Sequence, residues 1–194
     1  MSDVSALGES KSWYPLNVGN YWKYKESDGG EMKIVVNSTQ TISGVLTYEV
    51  QRISVKGLFA GKGAYQTAFM NKKGDGIIIV AKKTTNGILE FKDPYYELNY
   101  PLQFGKTWEN TPVYKNKPTN ALFTVKVKSE IVSNDEIVNT LAGRFKATKV
   151  KVTIGKITYF RWYVLGLGLI KEVYQSSNTK REKVLMAYYI KPDY

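Results

Sequence analysis

The stretch Phe123-Thr124-Val125-Lys126-Val127-Lys128-Ser129-Glu130-Ile131 decides the fold class. Phe123, Val125, Val127, Ser129 and Ile131 fall on one parity, and Thr124, Lys126, Lys128 and Glu130 fall on the other. Successive side chains of a strand point to opposite faces, so this spacing predicts a strand with one face in a core and one in water. Ile157-Thr158-Tyr159-Phe160-Arg161-Trp162-Tyr163-Val164 is a second strand signature, rich in the β-branched and aromatic residues that suit a pleated, half-buried surface. Turn signals separate such runs: Asp28-Gly29-Gly30, Ser43-Gly44, Gly74-Asp75-Gly76, Asn86-Gly87, Asn134-Asp135 and Ser176-Ser177-Asn178. No amphipathic helical period interrupts them. The expected fold is all-β, an antiparallel barrel or sandwich of about twelve strands.

The chain also repeats itself. Tyr14-Pro15-Leu16-Asn17-Val18-Gly19-Asn20-Tyr21-Trp22 recurs 86 residues later as Tyr100-Pro101-Leu102-Gln103-Phe104-Gly105-Lys106-Thr107-Trp108, with five identities in nine positions. Fainter echoes follow in the same order: Gly44 with Gly143, then Gly74-Asp75-Gly76-Ile77-Ile78 with Gly166-Leu167-Gly168-Leu169-Ile170. The spacing predicts one β domain over residues 13–194, made of two duplicated meanders at 14–98 and 100–190, behind a polar leader at 1–12. In the repeated motif Pro marks a strand edge, Gly allows a tight turn, and Trp enters the next strand as a large anchor. Trp22 and Trp108 are therefore either a symmetric pair of core plugs or, together with Tyr163, candidate ligand-binding aromatics.

Composition narrows the chemistry. Among 194 residues there is no Cys and no His, which removes disulfides, thiolate nucleophiles, the commonest zinc ligand and the commonest general base. No run approaches the length of a membrane-spanning helix. Of the net charge of +11, residues 1–99 carry +2 (12 basic, 10 acidic) and residues 100–194 carry +9 (16 basic, 7 acidic). Lys126, Lys128, Lys149, Lys151, Arg161, Arg181 and Lys183 are expected on a basic outer face. Such a face would attract polyanions weakly and salt-sensitively, without selecting a nucleic-acid sequence.

Residues 1–12 have no basic n-region and no apolar core. They read either as a cytosolic start or as the stub left after signal removal. The expected location is extracytoplasmic, at the periplasm or cell surface, if a signal was removed, and cytoplasmic otherwise.

Three motifs in order resemble a family of bacterial secreted and lipid-anchored β proteins of undefined function. They are Tyr14-Pro15-Leu16-x-x-Gly19-x-x-Trp22-x-Tyr24, Ala142-Gly143-Arg144-Phe145, and Trp162-Tyr163-x-x-Gly166-x-Gly168-Leu169-Ile170-Lys171. The resemblance spans roughly residues 13–190 and implies an extracytoplasmic β protein. It supplies no catalytic residue, and this sequence lacks the signal and lipidation Cys of that family.

No catalytic constellation stands out. Asp93 and Glu97 bracket Pro94-Tyr95-Tyr96, but glycosidase chemistry needs two carboxyls at a set separation across a cleft. Asn71, Asp75 and Asp93 lack the dense alternation of a calcium loop, and Gly166-x-Gly168 lacks the Lys-Ser/Thr of a phosphate loop. No metal and no cofactor are expected. The expectation is a non-enzymatic envelope module that binds or scaffolds an envelope component. Two alternatives stay open: a barrel carrying a small lipophilic ligand, and a weak polyanion binder.

Overall fold

A computed structural model describes residues 12–57, 60–85, 87–116 and 120–192, with 114–116 as backbone. The expected leader lies outside the described residues except for Ser12. The first half forms β1 (Tyr21–Glu26), β2 (Glu31–Ile42), β3 (Val45–Lys56), β4 (Ala64–Lys73), β5 (Gly76–Thr84) and β6 (Gly87–Asn99). The second half forms β7 (Thr107–Asn110), β8 (Val113–Asn116), β9 (Leu122–Thr124), β10 (Val127–Thr140), β11 (Gly143–Ile154), β12 (Ile157–Val164), β13 (Gly168–Gln175) and β14 (Lys180–Tyr189).

All pairings are antiparallel, in the order β7-β10-β11-β12-β13-β14-β1-β2-β3-β4-β5-β6-β8-β9. Each half is thus a six-strand meander, β1 to β6 and β7 with β10 to β14, and the β8–β9 hairpin hangs outside on β6. The halves join where β14 pairs with β1, Tyr189 opposite Tyr21 and Lys183 opposite Glu26. At the other seam β6 and β7 have no backbone ladder. There the Asn110 side chain accepts from the Tyr96 N–H (3.1 Å) and donates to the Tyr96 carbonyl (3.2 Å). One carboxamide does what a neighbouring strand would do, and Trp108 Nε1 adds a bond to the same carbonyl at 3.3 Å. The result is a nearly closed twelve-strand barrel.

The glycine turns of the two motif copies make the same backbone bonds. Gly19 N–H donates to Val36 and Val36 N–H to Asn20, as Gly105 donates to Ile131 and Ile131 to Lys106, all at 2.9 Å. Gly19 and Gly105 hold φ of +100° and +81°, a region costly for any residue with a Cβ. Leu16 and Leu102 enter the same end of the barrel and are buried there beside Trp22, Trp108, Val36, Ile131 and Leu98. Trp22 Nε1 donates to the Leu167 carbonyl at 2.6 Å. Both Trp residues are core anchors on opposite meanders, each burying about 150–250 Å² of ring surface.

One expected turn is not a turn. Asn134-Asp135 lies within β10, where the register to β11 slips twice between Ile131 and Glu136. The bulge absorbs the turn-forming residues, and Asn134 reaches back to donate to the Leu102 carbonyl at 2.6 Å. The chain reverses at Leu141-Ala142 instead, between the paired Thr140 and Gly143.

The seam makes a direct test possible. Asn110→Ala strips the Tyr96 N–H of its partner and should cost about 1–3 kcal/mol in denaturant unfolding. Exchange of the Tyr96 amide should accelerate in the same variant. Asn110→Asp, which keeps the acceptor but sets a carboxylate oxygen against the Tyr96 carbonyl, should recover only part of the loss.

Candidate functional site

Strand parity carries charged residues into the barrel above the apolar plug. On β3 the inward parity runs Val50, Arg52, Ser54; on β12 it runs Tyr159, Arg161, Tyr163; on β14 it runs Arg181, Lys183, Leu185. Glu97 arrives by a different route. The β5–β6 register slips between Ile77 and Ile78, so Leu98 pairs with Ile77 and Tyr96 with Ile78, leaving Glu97 unpaired in a bulge that turns it inward. Gly76 permits this approach, because a Cβ there would sit 2.1 Å from the Leu98 carbonyl oxygen.

These groups form one chain of charge-assisted bonds. The Tyr163 hydroxyl donates to Glu97 Oε1 at 3.2 Å, and Arg161 Nη1 donates to the same oxygen at 2.6 Å. Arg161 Nε donates to Glu172 Oε2 and Lys183 Nζ to Glu172 Oε1, both at 2.7 Å. Aromatic faces flank the cations, with Arg161 5.1 Å from the Tyr159 ring and Lys183 5.5 Å from the Tyr24 ring. Two more cations face this interior. Lys82 lies 5.2 Å over the Tyr95 ring, and Arg52 lines the threshold. Among the described residues neither has a carboxylate within 4.0 Å.

The interior is hollow at this level. A chamber of about 180 Å³ is lined by Arg52, Gln66, Lys82, Glu97, Arg161 and Glu172 together with Tyr14 and apolar neighbours. It meets a mouth cavity of about 610 Å³, bounded by the β1–β2 turn, Tyr65, Tyr174 and Arg181. Arg52 and Glu172 line both spaces. Counting side chains, the chamber level holds four cations against two carboxylates.

Burial and charge compete at each group. Burial pushes the Glu172 carboxyl up, but Lys183, Arg161 and Arg52 outweigh it and hold the group well below the usual carboxylate range. Glu97 is likewise held low by Arg161, Lys82 and Arg52 against its burial. Burial pulls Lys82 and Lys183 down to about 8, with Glu97 and Glu172 respectively resisting. Burial pushes the Tyr14 hydroxyl up to about 12.

The residues expected on one basic face divide between two environments. Lys126, just before β10, and Lys128, Lys149 and Lys151, on the outer side of β10 and β11, are interleaved with acid. Lys126 and Lys128 reach Glu109 at 2.7 and 3.9 Å, Lys149 reaches Glu136 at 3.3 Å, and Lys151 stands opposite Glu130. Lys149 and Lys171 also cap the outward Trp162 ring at 4.7 and 5.3 Å. Arg161 and Lys183 are not on that face: they are inside, and Arg181 is at the mouth. Both sides of β12 carry large rings, so periodicity alone could not orient it. Trp22 and Trp108 are buried apart in the plug, and Tyr163 is in the charge chain.

Sequence reading missed Arg52, Lys82 and Glu172 and placed Glu97 beside the wrong partner, since Asp93 is exposed. A signal existed for Arg52 and Lys183, which share the parity of Val50 and Leu185 on their strands. Among the described residues no group of three or more His, Cys, Asp or Glu is placed to hold a metal, and no helix is long and apolar enough to cross a membrane.

Fold and chamber together define a nearly closed antiparallel barrel with an ionised interior. The chain is similar in fold to a candidate lipoprotein from Parabacteroides distasonis ATCC 8503, at 16% identity and a TM-score of 0.53, covering 94% of this chain and 100% of that one. Weaker likeness extends to a candidate exported protein with YmcC-like fold from Bacteroides fragilis NCTC 9343 (13% identity, TM-score 0.46, 92% and 99% covered). The hypothetical lipoprotein YmcC from Escherichia coli K12 follows at 11% identity and a TM-score of 0.43, with 92% and 87% covered. No protein-family model matches the chain, and no curated protein matches it significantly.

The charge chain sets the pH dependence of stability. Glu97 and Glu172 bind protons less readily folded than unfolded, so their contribution is present above the ordinary carboxylate range and is lost as pH falls below it. Lys82 and Lys183 shed protons at about 8 when folded but near 10.5 when unfolded, so stability should rise with pH across that window. Melting temperatures from pH 3 to 10.5 check both limbs. Glu172→Gln should cost about 3–5 kcal/mol at pH 7, because Arg161 and Lys183 lose their shared partner, and should flatten the acid limb.

Proposed function

We propose that this protein is a non-enzymatic binding module of the bacterial cell envelope, with the barrel interior as its receptor site. The observation that carries this reading is a chamber whose polar groups are already in place, beside a mouth cavity that shares Arg52 and Glu172 with it. Small-molecule sites are concave and largely pre-formed, with few convergent polar groups. The two interior carboxylates support a binding role over a hydrolytic one. Both are held ionised by Arg and Lys, so neither carries a proton to give at neutral pH, as a general acid must. The ionised lining favours a polar occupant over a lipophilic one. Envelope placement is supported by the three family motifs and by a fold shared with a candidate lipoprotein.

The reading is tested by expressing the gene with its native upstream region, fractionating the cells, and examining the folded protein by native mass spectrometry. The expected result is recovery in the envelope fraction with a small non-covalent adduct. Ser54→Trp, which fills the mouth, should abolish the adduct without unfolding the barrel. Cytosolic, adduct-free protein would defeat the proposal.

A further inference from the structure

Four cations share two carboxylates inside the barrel, and the ion pairs are unevenly dealt. Arg161 and Lys183 take both Glu97 and Glu172 at 2.6–2.7 Å. Arg52 and Lys82 take none, yet both line the chamber. Cross-strand register brings them to one spot. Arg52 on β3 stands opposite Gln66 on β4, and Lys82 on β5 stands opposite Ala68, two residues further along the same face of β4. Gln66 and Ala68, on the strand between them, line the same chamber. Arg52, Gln66 and Lys82 all line the chamber, and among the described residues neither cation has a carboxylate within 4.0 Å. Cations that face an open chamber without a carboxylate partner are free to take an incoming anion.

We infer that the chamber is a binding site for a compact dianion of the phosphomonoester type, held between the Arg52 guanidinium and the Lys82 ammonium with Gln66 donating between them. This deepens the binding-module reading and rests on it. A phosphomonoester carries about −1.5 to −2 charge near neutral pH, which matches the excess of two cations. Arg presents a planar fork of donors that fits phosphate bidentately, and Lys adds a point charge. The chamber, at about 180 Å³, has room for about six waters at ~30 Å³ each, enough for a phosphoryl group and a few attached atoms. The wider mouth would take the remainder of the ligand, and Glu172 at the threshold would repel a second anion.

The test is calorimetric titration and thermal shift on the whole chain at low and physiological salt. The ligands are inorganic phosphate, glycerol 1-phosphate, succinate, and vesicles with or without phosphatidic acid. Phosphate and glycerol 1-phosphate should bind and raise the melting temperature, and succinate should do so less. Response to phosphatidic-acid vesicles alone would place the phosphomonoester in a lipid headgroup; response to the soluble esters would make it a free metabolite. Lys82→Met and Arg52→Gln should each weaken binding by about tenfold or more. Lys82→Met should leave the unliganded protein folded, with a cooperative melt near that of the wild type, so a folding defect cannot explain the lost binding. Lys151→Gln, on the outer wall, should leave binding unchanged. Phosphate binding that survives Lys82→Met and Arg52→Gln, or that Lys151→Gln abolishes, would overturn the inference. So would wild-type protein that ignores every phosphate ligand. In that last case a native adduct still lost in Ser54→Trp would leave the binding-module reading standing with a different ligand.

Discussion

On one edge β1 meets β2, and on the other it meets the last strand of the chain. That β14–β1 pairing turns two separate meanders into one wall. Without it each half would expose a row of unpaired backbone groups and one side of its apolar face. The opposite seam is lighter. β6 and β7 approach closely, but a single carboxamide on Asn110 and an indole on Trp108 replace the ladder. The barrel is therefore sealed by backbone at one junction and by side chains at the other. The outlying β8–β9 hairpin continues the sheet from β6 at the lighter seam.

The repeated sequence motif sits at the filled end of the barrel. Each half contributes a buried Leu and a buried Trp to that end, Leu16 with Trp22 and Leu102 with Trp108, and the first half adds the buried Tyr14. Above the plug the halves differ. Half one supplies Arg52, Lys82 and Glu97, and half two supplies Arg161, Glu172 and Lys183. No ion pair of the network lies within the first half. Among the described residues Glu97 bonds to Arg161 and Tyr163 of the other half, so the charge chain depends on both meanders being docked.

Much of this architecture was legible in the sequence. The alternation through Val127, Ser129 and Ile131 survives as the inward parity of β10, and the repeated nonapeptide survives as matching turns with matching backbone bonds. The interior chemistry was not legible. Period two reports which residues share a face, not which face is inward, and β12 has rings on both. Glu97 was hidden for another reason: a bulge changes its parity, and bulges depend on the neighbouring strand. Asn134-Asp135 failed for the same reason, since its turn propensity is spent inside a long strand. The hydrogen bonds of Trp22 and Tyr24 to carbonyls 145 residues away have no local signature at all.

Joining the first strand to the last also fixes when this molecule can become itself. β1 leaves the ribosome long before β14, and its open edge, its indole donor and its phenol donor must all wait for residues made at the end of synthesis. Contacts of such sequence separation form late and slowly, because the chain must close a long loop before any of them is rewarded. Until then the first meander is an unsealed sheet with an exposed apolar face, a state prone to aggregate and dependent on chaperones.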